Sequence, residues 1–424
     1  MIAALERALA RPGHTRGLVR IVTPVAARSL EALFDALPAE EAVYWASGGE
    51  VCLAIGGARR YTASGAARFA SMRDQTAGLP AWARLFGGFA FAPDRAGALP
   101  DAWAILPRFL FRKRGRTATL AMVIDRATPD ADRAALRALS IAMSAAPVPR
   151  ARAGSLAPLD ELDFLARVGR ACNEIAAGKL DKVVLHQQRH LALRGAPKAA
   201  AALAQLAVAQ PSTTRYAFRI HGAVFLGATP ERLVLRRGRQ VRADVLAGSL
   251  PRDGVARARA LLLSAKDRAE HELTRRAIVD VLGPRCRRLT ETGPRVRALP
   301  HLYHLHTAVR GELASDRHVL ELVAALHPTP AVGGAPRSAA LAFLAAEEPA
   351  SRAWYAAPIG WFRPNGDGDF RVALRCALLE RDHATLYAGA GVVAGSDPAR
   401  ELVEVAWKQR AMQSALGVRA LERT

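Results

Sequence analysis

Glu401 and Glu404 stand three residues apart, and Lys408 follows one helical turn later. They come after Ser396-Asp397-Pro398, a helix start with capping residues and proline in the first turn. The i, i+3 spacing puts both carboxylates on one face, with the ammonium beside them. Just upstream lie HPTPAVGG (327–334), SRAWYAAPIGW (351–361), GDGDF (366–370), VALR (372–375) and GAGVV (389–393). One short region therefore brings together Arg375, a glycine-rich backbone segment, two carboxylates and a lysine. These are parts for gripping a small polyanion through a metal ion.

Such residues need a scaffold, and its elements can be read from periodicity. LFGGFAFAPD (85–94) and AWAILPRFLFRKRGRTATLAMVI (102–124) alternate apolar runs with turn residues, as hairpins do. Residues 145–158, rich in Ala, Pro and Arg, predict a linker across the surface. A helix is expected from Asp160-Glu161 to Gly178, carrying Leu162, Leu165, Val168 and Ile175 at helical spacing. Strands follow at KVVLHQQRHLAL (182–193), TRYAFRI, AVFLGATP and ERLVLRR, then a turn at LAGSLPRDG (246–254) and one long helix over about 256–281. Residues 1–150 form a strand-rich half and 151–424 a half that carries the motifs. No internal repeat is visible.

Composition narrows the classes. With 51% hydrophobic and 23% charged residues, the 424-residue chain is globular and long enough for a large core. Cys52, Cys172, Cys286 and Cys376 show no CxxC pairing, which argues against a disulfide framework or a zinc site and fits a reducing cytoplasm. Glu6 and Arg7 interrupt the apolar N-terminus, and no apolar run approaches the roughly 20 residues of a bilayer span, so neither a signal peptide nor a membrane helix is expected. The net charge of +22 would suit nucleic acid. Yet the densest runs, RKRGR (112–116) and RRGR (236–239), fall at hairpin tips and read as solvated turns, and no nucleic-acid-binding motif accompanies them. No nucleic acid or membrane partner is expected; the charge would instead concentrate an anionic substrate.

Taken together, the strings LFGGFAF, KVVL, FLGATPERL, LAGS, SAKDRAEHEL, LYHLHT, HPTPAVGG, RAWYAAPIGW, GDGDF, VALR and GAGVVAGSDP resemble, in order, the chorismate-utilising enzymes, and among them the isochorismate synthases. The resemblance implies one large α+β domain over 1–424, two stacked antiparallel sheets with outer helices, and an active site in the cleft where they meet. It implies the isomerisation of chorismate to isochorismate: water adds beside the carboxylate-bearing ring carbon, the double bonds shift, and the far hydroxyl leaves. Lys182 matches the family's base and Glu231, in GATPERL, its general acid. A lysine ordinarily titrates near 10.4, so a lysine base must lose its proton well below that range, whereas the acid must hold its proton well above the usual carboxylate range.

The same resemblance makes Glu270 and Glu404 ligands of Mg2+, with Glu401 and Glu348 reaching the ion through water. Read alone, Glu270 would be a helix-surface partner of Lys266. Arg375, the backbone of Gly389, Ala390 and Gly391, and Lys408 match the clamp for the enolpyruvyl carboxylate; Ser249 and His304 match ring contacts. Lys182 and the non-lysine Ala247 separate the chain from the anthranilate and aminodeoxychorismate synthases, and Ala331 from the salicylate synthases, which remain the near alternatives. A basic binding protein or inactive scaffold is the far one. Ala353 and Ala357 replace family glycines, a departure that matters if either site needs positive φ. A monomer or weak dimer is expected, with an isochorismate-consuming enzyme downstream in menaquinone, siderophore or salicylate synthesis.

Overall fold

The computed structural model describes residues 5–6, 17–26, 29–37, 39–93, 97–125, 129–144, 152–157, 160–194, 198–252, 254–300, 302–348 and 350–418. Its strands are β1 (Leu18–Pro24), β2 (Glu41–Ser47), β3 (Glu50–Ala63), β4 (Leu85–Phe89), β5 (Ala102–Arg114), β6 (Thr117–Asp125), β7 (Arg152–Leu156), β8 (Lys182–Arg194), β9 (Thr214–Ile220), β10 (Ala223–Thr229), β11 (Arg232–Arg237), β12 (Gln240–Pro251), β13 (Cys286–Ala298), β14 (Leu302–Leu313), β15 (Gly334–Ala335), β16 (Pro358–Phe362), β17 (Gly368–Val372), β18 (Cys376–Glu380) and β19 (His383–Val393). The helices are α1 (Leu30–Ala36), α2 (Arg68–Thr76), α3 (Pro129–Ser144), α4 (Glu161–Ala176), α5 (Ala200–Ala209), α6 (Val255–Leu263), α7 (Ala265–Leu282), α8 (Val319–Leu326), α9 (Arg337–Glu347) and α10 (Pro398–Ala415).

All the pairings are antiparallel, and they trace two sheets. The first runs β1-β6-β5-β3-β2-β9-β10-β18-β19-β8, with β7 and β15 on the last edge. The second runs β3-β5-β4-β16-β17-β11-β12-β14-β13. Long strands β3 and β5 belong to both, and β3 changes register between Gly57 and Arg59 where it passes from one to the other. Bulges of this kind let a strand turn a corner between packed sheets. In each sheet the strands of the two halves of the chain form blocks that meet at one border, β2 beside β9 in the first and β4 beside β16 in the second.

Alternation along β2 shows the layering. Val43 and Trp45 join the inner core, while Ala42, Tyr44 and Ala46 face the outer one. The inner core centres on Trp354, whose ring packs 5.5 Å from Phe218 and 6.1 Å from Phe225. Burying a ring of about 150–250 Å² at about 25 cal/mol per Å² favours folding by roughly 4–6 kcal/mol before entropy. On the outer face, Leu33 and Phe34 of α1, Leu203 and Leu206 of α5, and Met412 of α10 cover the first sheet. No helix among the described residues is long and apolar enough to cross a membrane.

Five expectations change in detail. α4 starts and stops as its caps predict, with Asp160 accepting from the Asp163 amide and Gly178 at φ +71, but its buried stripe is Phe164, Val168 and Ala171, and Leu162 is 82% exposed. The single helix at 256–281 is two: Ser264 leaves the helical region at ψ 114 and caps α7 by accepting from the Asp267 amide. The turn expected at 246–254 is largely strand, because Leu246 to Pro251 pair with β14. Arg236 is no solvated turn residue; it is buried, bonded to Asp316, Asp367 and the Asn365 carbonyl. Within the expected linker, β7 pairs with β8; residues 145–151 and 158 lie outside the described residues.

Candidate active site

β12 approaches α7 at Gly248. That glycine has φ +80, and a Cβ on it would lie 3.1 Å from Asp267 Cβ, so only glycine lets strand and helix meet this closely. The register shift between Ala247 and Ser249 then sets Ser249 opposite His304 of β14, where Ser249 Oγ and His304 Nδ1 are 2.8 Å apart. His304 is buried, and its Nε2 has no hydrogen-bond partner. Burial, then the charges of Arg375, Lys408 and Arg297, hold its imidazole well below the usual range, hence neutral.

These residues line a cavity of about 640 Å³ together with Glu231, Asp267, Glu270, Ala331, Arg375, Gly389, Gly391, Glu401, Glu404 and Lys408. Thr229-Pro230 place Glu231 there. Thr229 Oγ1 donates to the Val372 carbonyl at 2.6 Å and accepts from the Glu231 amide at 3.2 Å, while Arg297 donates to the Pro230 carbonyl. Burial, then the charge of Asp244, push the Glu231 carboxyl up to about 8, against Lys182, Arg297 and Lys408. The acid form expected from sequence thus has a physical cause.

Lys182, at the start of β8, is wholly buried, and its Nζ donates to Glu270 Oε1 at 2.7 Å. Two more ammonium groups meet the remaining carboxylates: Lys408 lies 2.6 Å from Glu404 Oε1, and Lys266 3.2 Å from Glu401 Oε1. Lys266 therefore serves α10, and the helix-surface pairing with Glu270 does not form. Lys408 also donates to the Gly389 carbonyl at 2.7 Å. Because N–H and C=O of one residue share a side in an antiparallel strand, Gly389 and Gly391 turn their amides away from β8 toward the cavity. Ala390, between them, sits in the inner core. A Cβ on Gly391 would come within 3.1 Å of both Glu270 Oε1 and Lys182 Cε, so a side chain there would press on the pair.

Arg375 is held at φ +51. It lines the cavity, burial lowers its guanidinium from the ordinary range, and no carboxylate pairs with it among the described residues. A half-buried cation with no carboxylate partner among the described residues is a receptor for an anionic ligand. Tyr355 and Tyr387, stacked with centroids 5.5 Å apart, form part of the same wall.

Three expected site residues do not line the cavity: Ala390, Glu348, and Lys182, which reaches its wall through Glu270. Glu348 takes bonds from Arg352 Nε at 2.7 Å and Nη2 at 2.6 Å, and from the His186 amide at 3.1 Å, in a buried cluster that does not line the cavity. These contacts hold its carboxyl well below the usual range. Asp267, which sequence reasoning missed, does line the cavity; its i, i+3 spacing with Glu270 on α7 mirrors Glu401 and Glu404 on α10 and was the available signal. Of the two departures from family glycines, Ala353 sits at φ +48 and Ala357 does not have positive φ. The former costs of order 1 kcal/mol.

The donor set suits a hard divalent cation: carboxylates from two helices facing one cavity, with room for water and a substrate oxyanion. Burial, then the charge of Glu404, raise the Glu401 carboxyl, a repulsion that a cation would relieve. Among the described residues, however, no three acidic, His or Cys side chains converge at metal-binding distance.

Comparison with known proteins gives this cavity a context. The salicylate biosynthesis isochorismate synthase of Pseudomonas aeruginosa is 40% identical over 269 residues, 62% of this chain and 56% of that protein. This chain thus aligns with little more than half of that relative. The isochorismate synthase DhbC of Bacillus subtilis is 40% identical over 273 residues, 60% of this chain and 68% of its own. The solved structure of MenF, the menaquinone-specific isochorismate synthase from Escherichia coli, superposes with a TM-score of 0.87 at 27% identity over 98% of both chains. A family model described as chorismate binding enzyme matches residues 3–417. Since that match takes in both sheets and every residue around the cavity, the chain belongs to the chorismate-binding enzyme family.

Proposed function

We propose that the protein is an isochorismate synthase that converts chorismate to isochorismate with Mg2+. The observation that carries this reading is the placing, beside one cavity, of a buried lysine, Lys182, bonded to the cavity-lining Glu270, and of a buried carboxyl at Glu231 held in its acid form. Addition of water with loss of a hydroxyl needs both. Lys182, once released from Glu270, takes a proton from the attacking water as its oxygen bonds to the ring. Glu231 delivers a proton to the departing hydroxyl, which leaves as water.

Arg375, the Gly389 and Gly391 amides and Lys408 bind the enolpyruvyl carboxylate, and His304 Nε2 meets a polar atom of the substrate. Glu270 and Glu404 would hold the cation, with Glu401 and Asp267 behind them; bound there, it supplies positive charge to the ring carboxylate. Ala247 offers no covalent nucleophile, and Ala331 no polar contact for elimination of pyruvate. The deciding assay gives the purified protein chorismate and magnesium without ammonium. A reversible mixture of chorismate and isochorismate with little pyruvate is expected. Stoichiometric pyruvate with salicylate would replace this reading by a salicylate synthase.

A further inference from the structure

Arg375 holds a backbone conformation that residues with side chains rarely adopt. Of the positive-φ residues other than glycine among the described residues, it is the one that lines the cavity, at φ +51. A side chain in that region crowds its own backbone, so the conformation persists only where the surroundings fix the peptides on either side. The Arg375 carbonyl accepts from the Ala228 amide at 3.1 Å. The Leu374 carbonyl, in the peptide that precedes Arg375, accepts from Tyr216 Oη at 3.3 Å.

Tyr216 reaches that peptide through a gap in the sheet. Tyr216 of β9, Gly227 of β10 and Cys376 of β18 stand opposite one another in adjacent strands. A Cβ on Gly227 would lie 2.7 Å from Tyr216 Oη and 2.6 Å from the Arg375 carbonyl oxygen, so the hydroxyl fits only because the middle residue of the row has no side chain. Phe218 and Phe225 pack against the tyrosine ring, with centroids 6.2 and 5.8 Å away. The ring is wholly buried and does not line the cavity, so it acts on the peptide and not on the substrate. Resting on the reading of Arg375 as receptor for the enolpyruvyl carboxylate, we infer that Tyr216 is a positioning residue whose hydroxyl, lying over Gly227, holds the Leu374–Arg375 peptide in the left-handed turn that presents the guanidinium to the substrate. Without that bond the peptide can rotate, taking φ of Arg375 toward the negative values that L residues favour and the guanidinium away from its place.

The test is a double-mutant cycle on chorismate binding, with Mg2+ present and Glu231→Gln in every protein so that the ligand stays intact. By calorimetry, Tyr216→Phe should weaken binding about five- to tenfold, the loss expected for one hydrogen bond. Arg375→Gln should weaken it about a hundredfold. In the Arg375→Gln background, Tyr216→Phe should change the dissociation constant by less than about twofold, since no guanidinium remains to be aimed. A loss of the same size in both backgrounds makes Tyr216 a general support of the sheet and overturns the inference, as does binding by Tyr216→Phe within about twofold of the Glu231→Gln parent. Gly227→Ala approaches the same contact from the neighbouring strand and should show the same dependence on Arg375; should neither Tyr216→Phe nor Gly227→Ala fold, the row belongs to the scaffold and the inference fails. Chorismate bound by Arg375→Gln as tightly as by the parent would instead overturn the receptor reading itself, an outcome told apart because it appears with Tyr216 unchanged.

Discussion

Lys182 on β8 and Glu270 on α7 meet at 2.7 Å across 88 residues of sequence. The proposed base and a proposed metal ligand thus occupy each other. An ammonium held by a carboxylate cannot accept a proton, so a cation at Glu270 and a free amine at Lys182 are linked states of one site.

Lys182→Ala should therefore lose turnover by about 10²–10⁴-fold while magnesium binds at least as tightly, because the competing ammonium is gone. Activity assay and calorimetry on the same preparation check both halves. Near-normal turnover would sink the base assignment.

Glu404→Ala and Glu270→Ala should each weaken magnesium binding at least tenfold and abolish activity, with Glu401→Ala milder. Magnesium affinity unchanged in the Glu404 variant would refute its ligand role. Chorismate and magnesium should also tighten each other's binding, a reciprocity that titrations in either order can measure.

Glu231 supplies a stability prediction as well. Its folded carboxyl titrates near 8 against an ordinary 4.5. Between those values the folded state binds more protons than the unfolded, so this group's contribution to stability falls as pH rises from about 4.5 to 8. Glu231→Gln should escape that loss, and its melting temperature should gain on the parent from pH 5 to pH 9, by up to roughly 4 kcal/mol in stability. A constant difference across that range would contradict the buried acid. In the parent, kcat should decline about tenfold per unit above pH 8.

Ala331→Thr should raise pyruvate and salicylate release if the missing polar contact at this wall restrains elimination. Parallel coupling to lactate dehydrogenase and to an isochorismate-consuming enzyme separates the two products.

The sequence by itself determined the strands β4 to β6 and β8 to β11 and the starts of α4 and α10, because alternation, turn glycines and capping residues act over a few neighbouring positions. Asp397 caps α10 by accepting from the Arg400 amide, as Ser396-Asp397-Pro398 predicts. Family order brought Lys182, Glu231, Glu270 and Glu404 together before any coordinates. Local rules failed where a distant element decides. Ser264 ends one helix and caps the next, and Leu246 to Pro251 extend because β14 offers a ladder. Glu348 and Asp267 exchange places for the same reason. Either acid could serve a cation in isolation, but Arg352 and His186 take up Glu348, whereas α7, packed against β12 at Gly248, turns Asp267 into the cavity. Which carboxylate meets which cation is a property of strand register and helix packing, and those are set by burial across the whole chain.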